Sequence, residues 1–223
     1  MPEMDEGEVI DQPLTAIAEA FEELSKWMKE NSGGHHIRLD NFCEVASLVS
    51  VLFRCLGLAF KFAELEYVAK LEGLLEASKT CPTLQDILEV DVGNDTVKTS
   101  GSYSRNLRRV RQGLDLVRAI FEQLLSTEDS SLKDVASTAY GQVCAPYHTW
   151  AVRTAVYAGM YTLPTREQLL MKLNETVHLT EHHINVFAEQ SAEKKMKRYI
   201  AASLPIIEYI DSLYVSRNIT LDW

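Results

Sequence analysis

The chain has 223 residues, 46% of them hydrophobic, and a formal net charge of -10 at pH 7. That is enough apolar material for one domain with a sizeable core, and the acidic balance argues against general attraction to nucleic acid or anionic surfaces. No run of about 18 consecutive apolar residues occurs, so no segment is expected to span a bilayer.

Residues 1–12 are acidic and lack the basic and apolar regions of a signal peptide. They read as a loose tail ahead of a single domain over residues 13–223, and a cytoplasmic protein is expected. From Pro13 to Lys29, Leu14, Ile17, Phe21, Leu24 and Met28 recur at helical spacing, with Pro13 suited to a first turn. Ser32-Gly33-Gly34 is a break.

From Asp40 to about Ser78 the pattern is helical again, with Asp40 or Asn41 as a possible cap. The segment Ala46 to Phe62 is nearly apolar all round and predicts burial on most sides. Gly57 marks a kink or a junction between two helices. Pro82 stops this region, and a short helix is expected from Thr83 to about Glu89.

A strong helix follows from Tyr103 to Leu125, then a polar loop at Ser126 to Ser130 and a helix from Leu132 to Val143. Pro146 is expected to open a helix reaching Gly159, and Thr165 to cap one ending at Leu173. A polar helical segment, Asn174 to about Arg198, and an apolar one, Tyr199 to Leu213, complete the chain before Leu221-Asp222-Trp223. About eight helices and no alternating strand pattern predict an all-α domain.

The four cysteines, Cys43, Cys55, Cys81 and Cys144, form no C-x-x-C pair and read as buried free thiols. His35-His36 and His182-His183 lie on polar stretches without metal-ligand spacing. No catalytic triad and no Gly-rich phosphate loop is present, so neither enzyme activity nor a cofactor is expected.

One concentration of charge stands out. Between Lys98 and Arg118 lie Arg105, Arg108, Arg109 and Arg111, with Asp115 the lone acid. Arg105 and Arg109 share a helix face and repel by a few tenths of a kcal/mol in the free protein. Two readings stand. The arginines form a solvated face paired to acids elsewhere, or they form an anion site, since guanidinium forks grip phosphate oxygens in bidentate fashion. Glu66 and Lys70 are likewise either a simple i,i+4 pair or the rim where an apolar core opens to water. His148 is a structural or a functional histidine, and Trp150 a core side chain or a membrane-interface anchor.

At these residues the sequence resembles the glycolipid transfer protein superfamily. The similar stretches are Phe42 to Leu74, Gly101 to Asp115 and Ala145 to Thr165, together with the Leu-Asp-Trp ending. The resemblance extends from about Pro13 to Trp223 and implies a two-layer helical sandwich with a surface head-group site above an apolar pocket for lipid chains. In phosphate-binding members that site combines an acid, a Lys, two Arg and a His, matched here by Glu66, Lys70, Arg105, Arg109 and His148. Members carrying sugar-headed lipids have Trp where Arg109 stands and Asn where Lys70 stands.

The resemblance therefore implies a carrier of ceramide-1-phosphate or a related phosphosphingolipid. Arg105, Arg109 and Lys70 would hold the phosphate, His148 the ceramide amide carbonyl and Glu66 the amide N–H, while Trp150 would meet the membrane. A role in restraining plant cell death and defence is implied only in this way. The family uses Asp where this chain has Glu66, so the longer carboxylate either reaches the amide or pairs with Lys70 or an Arg. Arg108, where the family has an apolar residue, should point away from the Arg105–Arg109 face. The alternative to a carrier is a helical lipid sensor or scaffold. Nucleic acid is not expected as a partner.

Overall fold

The computed structural model describes residues 12–31, 36–57, 60–127, 130–173 and 181–223, with side chains of 181–189 set aside. The expected tail over 1–11, the Ser32-Gly33-Gly34 break and the segment 174–180 lie outside the described residues. The described helices are α1 (Pro13–Glu30), α2 (Leu39–Ser47), α3 (Ser50–Cys55), α4 (Lys61–Ala77), α5 (Leu84–Gly93), α6 (Tyr103–Ser126), α7 (Leu132–Val143), α8 (Trp150–Gly159), α9 (Arg166–Leu173) and α10 (Glu181–Val215). No strand forms among them.

Local chemistry explains most boundaries. Thr83 caps α5 in a reciprocal box with Asp86, and Thr165 does the same for α9 with Gln168. Ser102, Ser131 and Thr149 cap α6, α7 and α8 through their hydroxyls. Gly57 sits at φ 86°, a left-handed conformation that suits glycine, and turns the chain between α3 and α4.

Four boundaries differ from expectation, the first being the end of α5, at Gly93 and not at about Glu89. Asp40 does not cap α2: Arg38 precedes the helix, and Asp40 lies in its first turn, paired with Arg38. Pro146 opens only a 3₁₀ turn, Ala145–Tyr147; His148 is extended, and α8 starts after Thr149. The two helical segments expected on either side of Arg198 are one helix, α10, with Pro205 inside it. No break falls at that junction because Arg198 pairs with Glu22 of α1 while Tyr199 is fully buried against Phe21 and Phe121.

Helix α6 is the central element, packing on α4, α5, α7 and α10, while α1 packs on α10. It is buried on almost every face, polar residues included. Some of its polar atoms are paired across the interior, whereas Ser104 Oγ, Arg108 Nε and Gln112 Nε2 have no hydrogen-bond partner among the described residues. Arg111 pairs with Asp115 at 2.5 Å and with Asp211 of α10, and Arg118 pairs with Asp115 at 2.7 Å and Glu122 at 2.5 Å.

Helices α4 and α6 cross closely. A Cβ on Gly113 would meet the Tyr67 ring at 2.7 Å, and one on Gly73 would meet Asn106 Nδ2 at 2.9 Å. Tyr67 thus lies opposite 113 and Gly73 opposite 106. The helices are antiparallel, and Lys70 falls level with Arg109.

Candidate functional site

Arginine spacing puts several guanidiniums on α6, and their partners separate them. Arg108 is 3% exposed and faces inward, pairing with Asp211 at 3.2 Å and donating to the Leu221 carbonyl at 2.8 Å. Arg111 and Arg118 are neutralised by acids, as the solvated-face reading expected of all of them. Arg105 and Arg109 are different. Arg105 donates to the Lys98 carbonyl at 2.5 Å, and Arg109 to the Gln112 side-chain oxygen at 2.6 Å. Neither has a carboxylate partner among the described residues.

The two free charges are felt locally. Burial, then the charges of Arg105 and Arg108, push the Arg109 guanidinium below its ordinary value. His148 stands nearby: burial and then the Arg109 charge hold its imidazole below the usual histidine range and so favour its neutral form. Its Nδ1 lies 2.8 Å from the Tyr140 hydroxyl. His148 is thus close enough to Arg109 to feel its charge, Lys70 lies level with Arg109 between the two close contacts of α4 and α6, and Arg105 is one turn earlier on α6.

Glu66 is only loosely part of this group. Its side chain is 72% exposed, and its carboxylate lies 3.4 Å from Lys70 Nζ. Of the two placements open to the longer side chain, the described state has the pair with Lys70.

Trp150 is not a core residue. It is 74% exposed at the start of α8, two residues beyond His148. Sequence reasoning missed its counterpart. Phe62 belongs to a segment read as buried on most sides, yet it is 83% exposed. Phe62 is one turn before Glu66 on the same face of α4. Its flanks are pinned: buried Glu64 accepts from Arg54 at 2.7 Å and Lys61 at 3.0 Å. The neighbouring residues Leu52, Phe53, Leu56 and Phe60 are buried as expected.

Chemically, the site offers guanidinium forks, an ammonium and a neutral imidazole to an oxyanion, and sets exposed aromatic side chains beside them. Among the described residues no group of three or more His, Cys, Asp or Glu could hold a metal; His35 and the side chains of His182–His183 fall outside that description. No described helix is long and apolar enough to cross a membrane.

A helical fold built around one buried arginine-rich helix, with Arg105 and Arg109 lacking carboxylate partners among the described residues and Trp150 and Phe62 exposed, defines an all-α class of domain. The chain belongs to the glycolipid transfer protein family, whose model, described as Glycolipid transfer protein (GLTP), matches residues 37–175. It is 61% identical over 218 residues to the Arabidopsis thaliana ACD11 homolog protein, covering 96% of this chain and 90% of that protein. It is 44% identical over 214 residues to Accelerated cell death 11 of Arabidopsis thaliana, covering 96% and 97%. Among solved structures, a point mutant of Arabidopsis accelerated-cell-death 11 complexed with C12 ceramide-1-phosphate superposes with a TM-score of 0.85 at 42% identity, covering 96% of this chain and all of that one. The all-α architecture expected from the resemblance is therefore the observed one.

Proposed function

We propose that this protein moves a phosphate-headed sphingolipid, most directly ceramide-1-phosphate, between membranes as a carrier and not as an enzyme. The observation that carries the reading is the pair Arg105 and Arg109. In a chain of net charge -10 they stand without a carboxylate partner among the described residues, while their neighbours on the same helix are neutralised. A phosphate monoester supplies the missing counter-charge and accepts bidentate hydrogen bonds from both forks.

Lys70 adds a third cation level with Arg109. His148 donates to the ceramide amide carbonyl. Glu66, released from Lys70 when the phosphate arrives, accepts the amide N–H. Support comes from the relative of known structure that holds C12 ceramide-1-phosphate at 42% identity.

The chains supply the reason for a carrier. Roughly 25 to 30 methylenes at about 0.8 kcal/mol each make spontaneous exit from a bilayer very slow. An apolar interior that receives them lowers that barrier. The interior here is filled by side chains such as Val49, Leu52 and Phe53, so the surrounding helices part to admit the lipid. Trp150 and Phe62, flanking the head-group residues, enter the membrane interface while this happens.

The test is fluorescence transfer between vesicles, comparing labelled ceramide-1-phosphate with labelled galactosylceramide, in wild type and Arg109→Glu. The expected result is phosphate-selective transfer that falls about a hundredfold in the variant, with helicity unchanged. Equal transfer by the variant removes the head-group assignment. No transfer of either lipid by wild type leaves a helical sensor or scaffold as the function.

A further inference from the structure

A neutral histidine can either donate or accept at a given nitrogen, and the choice decides what His148 can recognise. The arrangement around its other nitrogen is specific. Tyr140, on α7, is 3% exposed and presents its hydroxyl to His148 Nδ1 at 2.8 Å. Its ring is held from two sides, edge-on to Tyr157 at 5.4 Å and tilted against the imidazole at 5.6 Å. The hydroxyl has no second hydrogen-bond partner among the described residues.

That singularity selects the tautomer. If His148 carried its proton on Nδ1 and donated to Tyr140, the phenolic hydrogen would be left in a buried setting with no acceptor. An orphaned buried donor is costly, whereas an unused oxygen lone pair is cheap. Burial pushes the Tyr140 phenol up to about 12, so the hydrogen stays on it at neutral pH. Burial and Arg109 keep His148 from acquiring a second proton.

We infer that Tyr140 is a positioning residue for lipid recognition: its hydroxyl donates to His148 Nδ1 and fixes the imidazole as the Nε2–H tautomer, a committed donor for a carbonyl oxygen of the bound lipid. The opposite tautomer would present a bare nitrogen and read an N–H instead. One hydroxyl on a helix outside the head-group residues therefore sets which half of an amide the site reads. The inference rests on the placement of His148 in the proposed function.

Tyr140→Phe removes the hydroxyl and keeps the ring, so packing against Tyr157 is retained. The experiment pairs two readouts on wild type, Tyr140→Phe, His148→Ala and the double variant: binding of ceramide-1-phosphate, and ¹⁵N–¹H correlation of the imidazole nitrogens. Wild type should show a proton on Nε2 and a bare Nδ1. Tyr140→Phe should show a tautomer mixture and bind about fivefold more weakly. In the His148→Ala background the same change should cost less than about twofold, the coupling expected of residues acting through one another. A wild-type proton on Nδ1, normal binding by Tyr140→Phe, or additive losses in the double variant would overturn the inference while leaving the head-group reading intact. Normal binding by His148→Ala would overturn both.

Discussion

At the scale of residues, one helix carries a single side-chain type in three states. Arg111 and Arg118 are held by Asp115, Asp211 and Glu122, Arg108 is buried against Asp211 and the Leu221 carbonyl, and Arg105 and Arg109 keep their charge available. What differs is whether a carboxylate, from the same helix or from α10, reaches the position. Glu66 is the residue where recognition is most open to adjustment. Its pair with Lys70 is largely exposed and worth about 0.5 kcal/mol or less. Glu66→Asp shortens the reach to Lys70, and ceramide-1-phosphate transfer by the variant should equal or exceed wild type. A large loss in the vesicle assay would show that the longer side chain has a geometry of its own. The four-residue spacing made the shared face of Arg105 and Arg109 legible. That they alone of the α6 arginines lack a carboxylate among the described residues was not, because Asp211, which takes up Arg108 and Arg111, lies about a hundred residues along the chain and nothing local announces it. Tyr140 gave no signal at all, since an aromatic at a helical core position looks the same whether or not its hydroxyl orients a histidine.

At the scale of elements, the site depends on how closely two helices approach. Gly113 has no side chain, and the Tyr67 ring occupies the space a methyl would need. Tyr67 cannot easily retreat, because it is buried and its hydroxyl donates to the Ala46 carbonyl at 2.8 Å. Alanine gains helix propensity, but overpacking outweighs it. Gly113→Ala should lower the unfolding free energy by about 1–2 kcal/mol, measured by denaturant titration. It should also move Lys70 away from Arg109 and weaken phosphate-lipid binding; an unchanged midpoint would mean the crossing has slack. Helix ends that rest on local chemistry, at Thr165, Gly57 and Val143, could be read from the sequence. Pro146 could not, because proline suits the first turn of a 3₁₀ segment as well as that of an α-helix, and the choice was settled by Thr149 capping a few residues later. The exposure of Phe62 was equally invisible: an apolar run reports hydrophobicity, and only the ion pairs of Glu64 with Arg54 and Lys61 fix which side faces out.

At the scale of the whole molecule, acidity and membrane contact are in tension. A net charge of -10 repels anionic bilayers, so in the proposed carrier docking would rest on the exposed Trp150 and Phe62 and a few local cations such as Arg153. Apolar wedges are indifferent to ionic strength, and each basic side chain near the surface adds only about 1 kcal/mol. Vesicle co-sedimentation should therefore change only a few-fold between about 0.01 M and about 0.15 M salt. A steep loss would mean that electrostatics, and not aromatic insertion, holds the protein to the bilayer.

Helix α8 contributes no fully buried side chain, although α7 and α6 on one side of it are deeply sunk in the interior. Folding free energy comes mostly from such interior residues, so α8 is expected to open at a lower cost than α6 or α7. Loosening of α8 would therefore be felt first at Tyr140 of α7, whose ring Tyr157 holds edge-on.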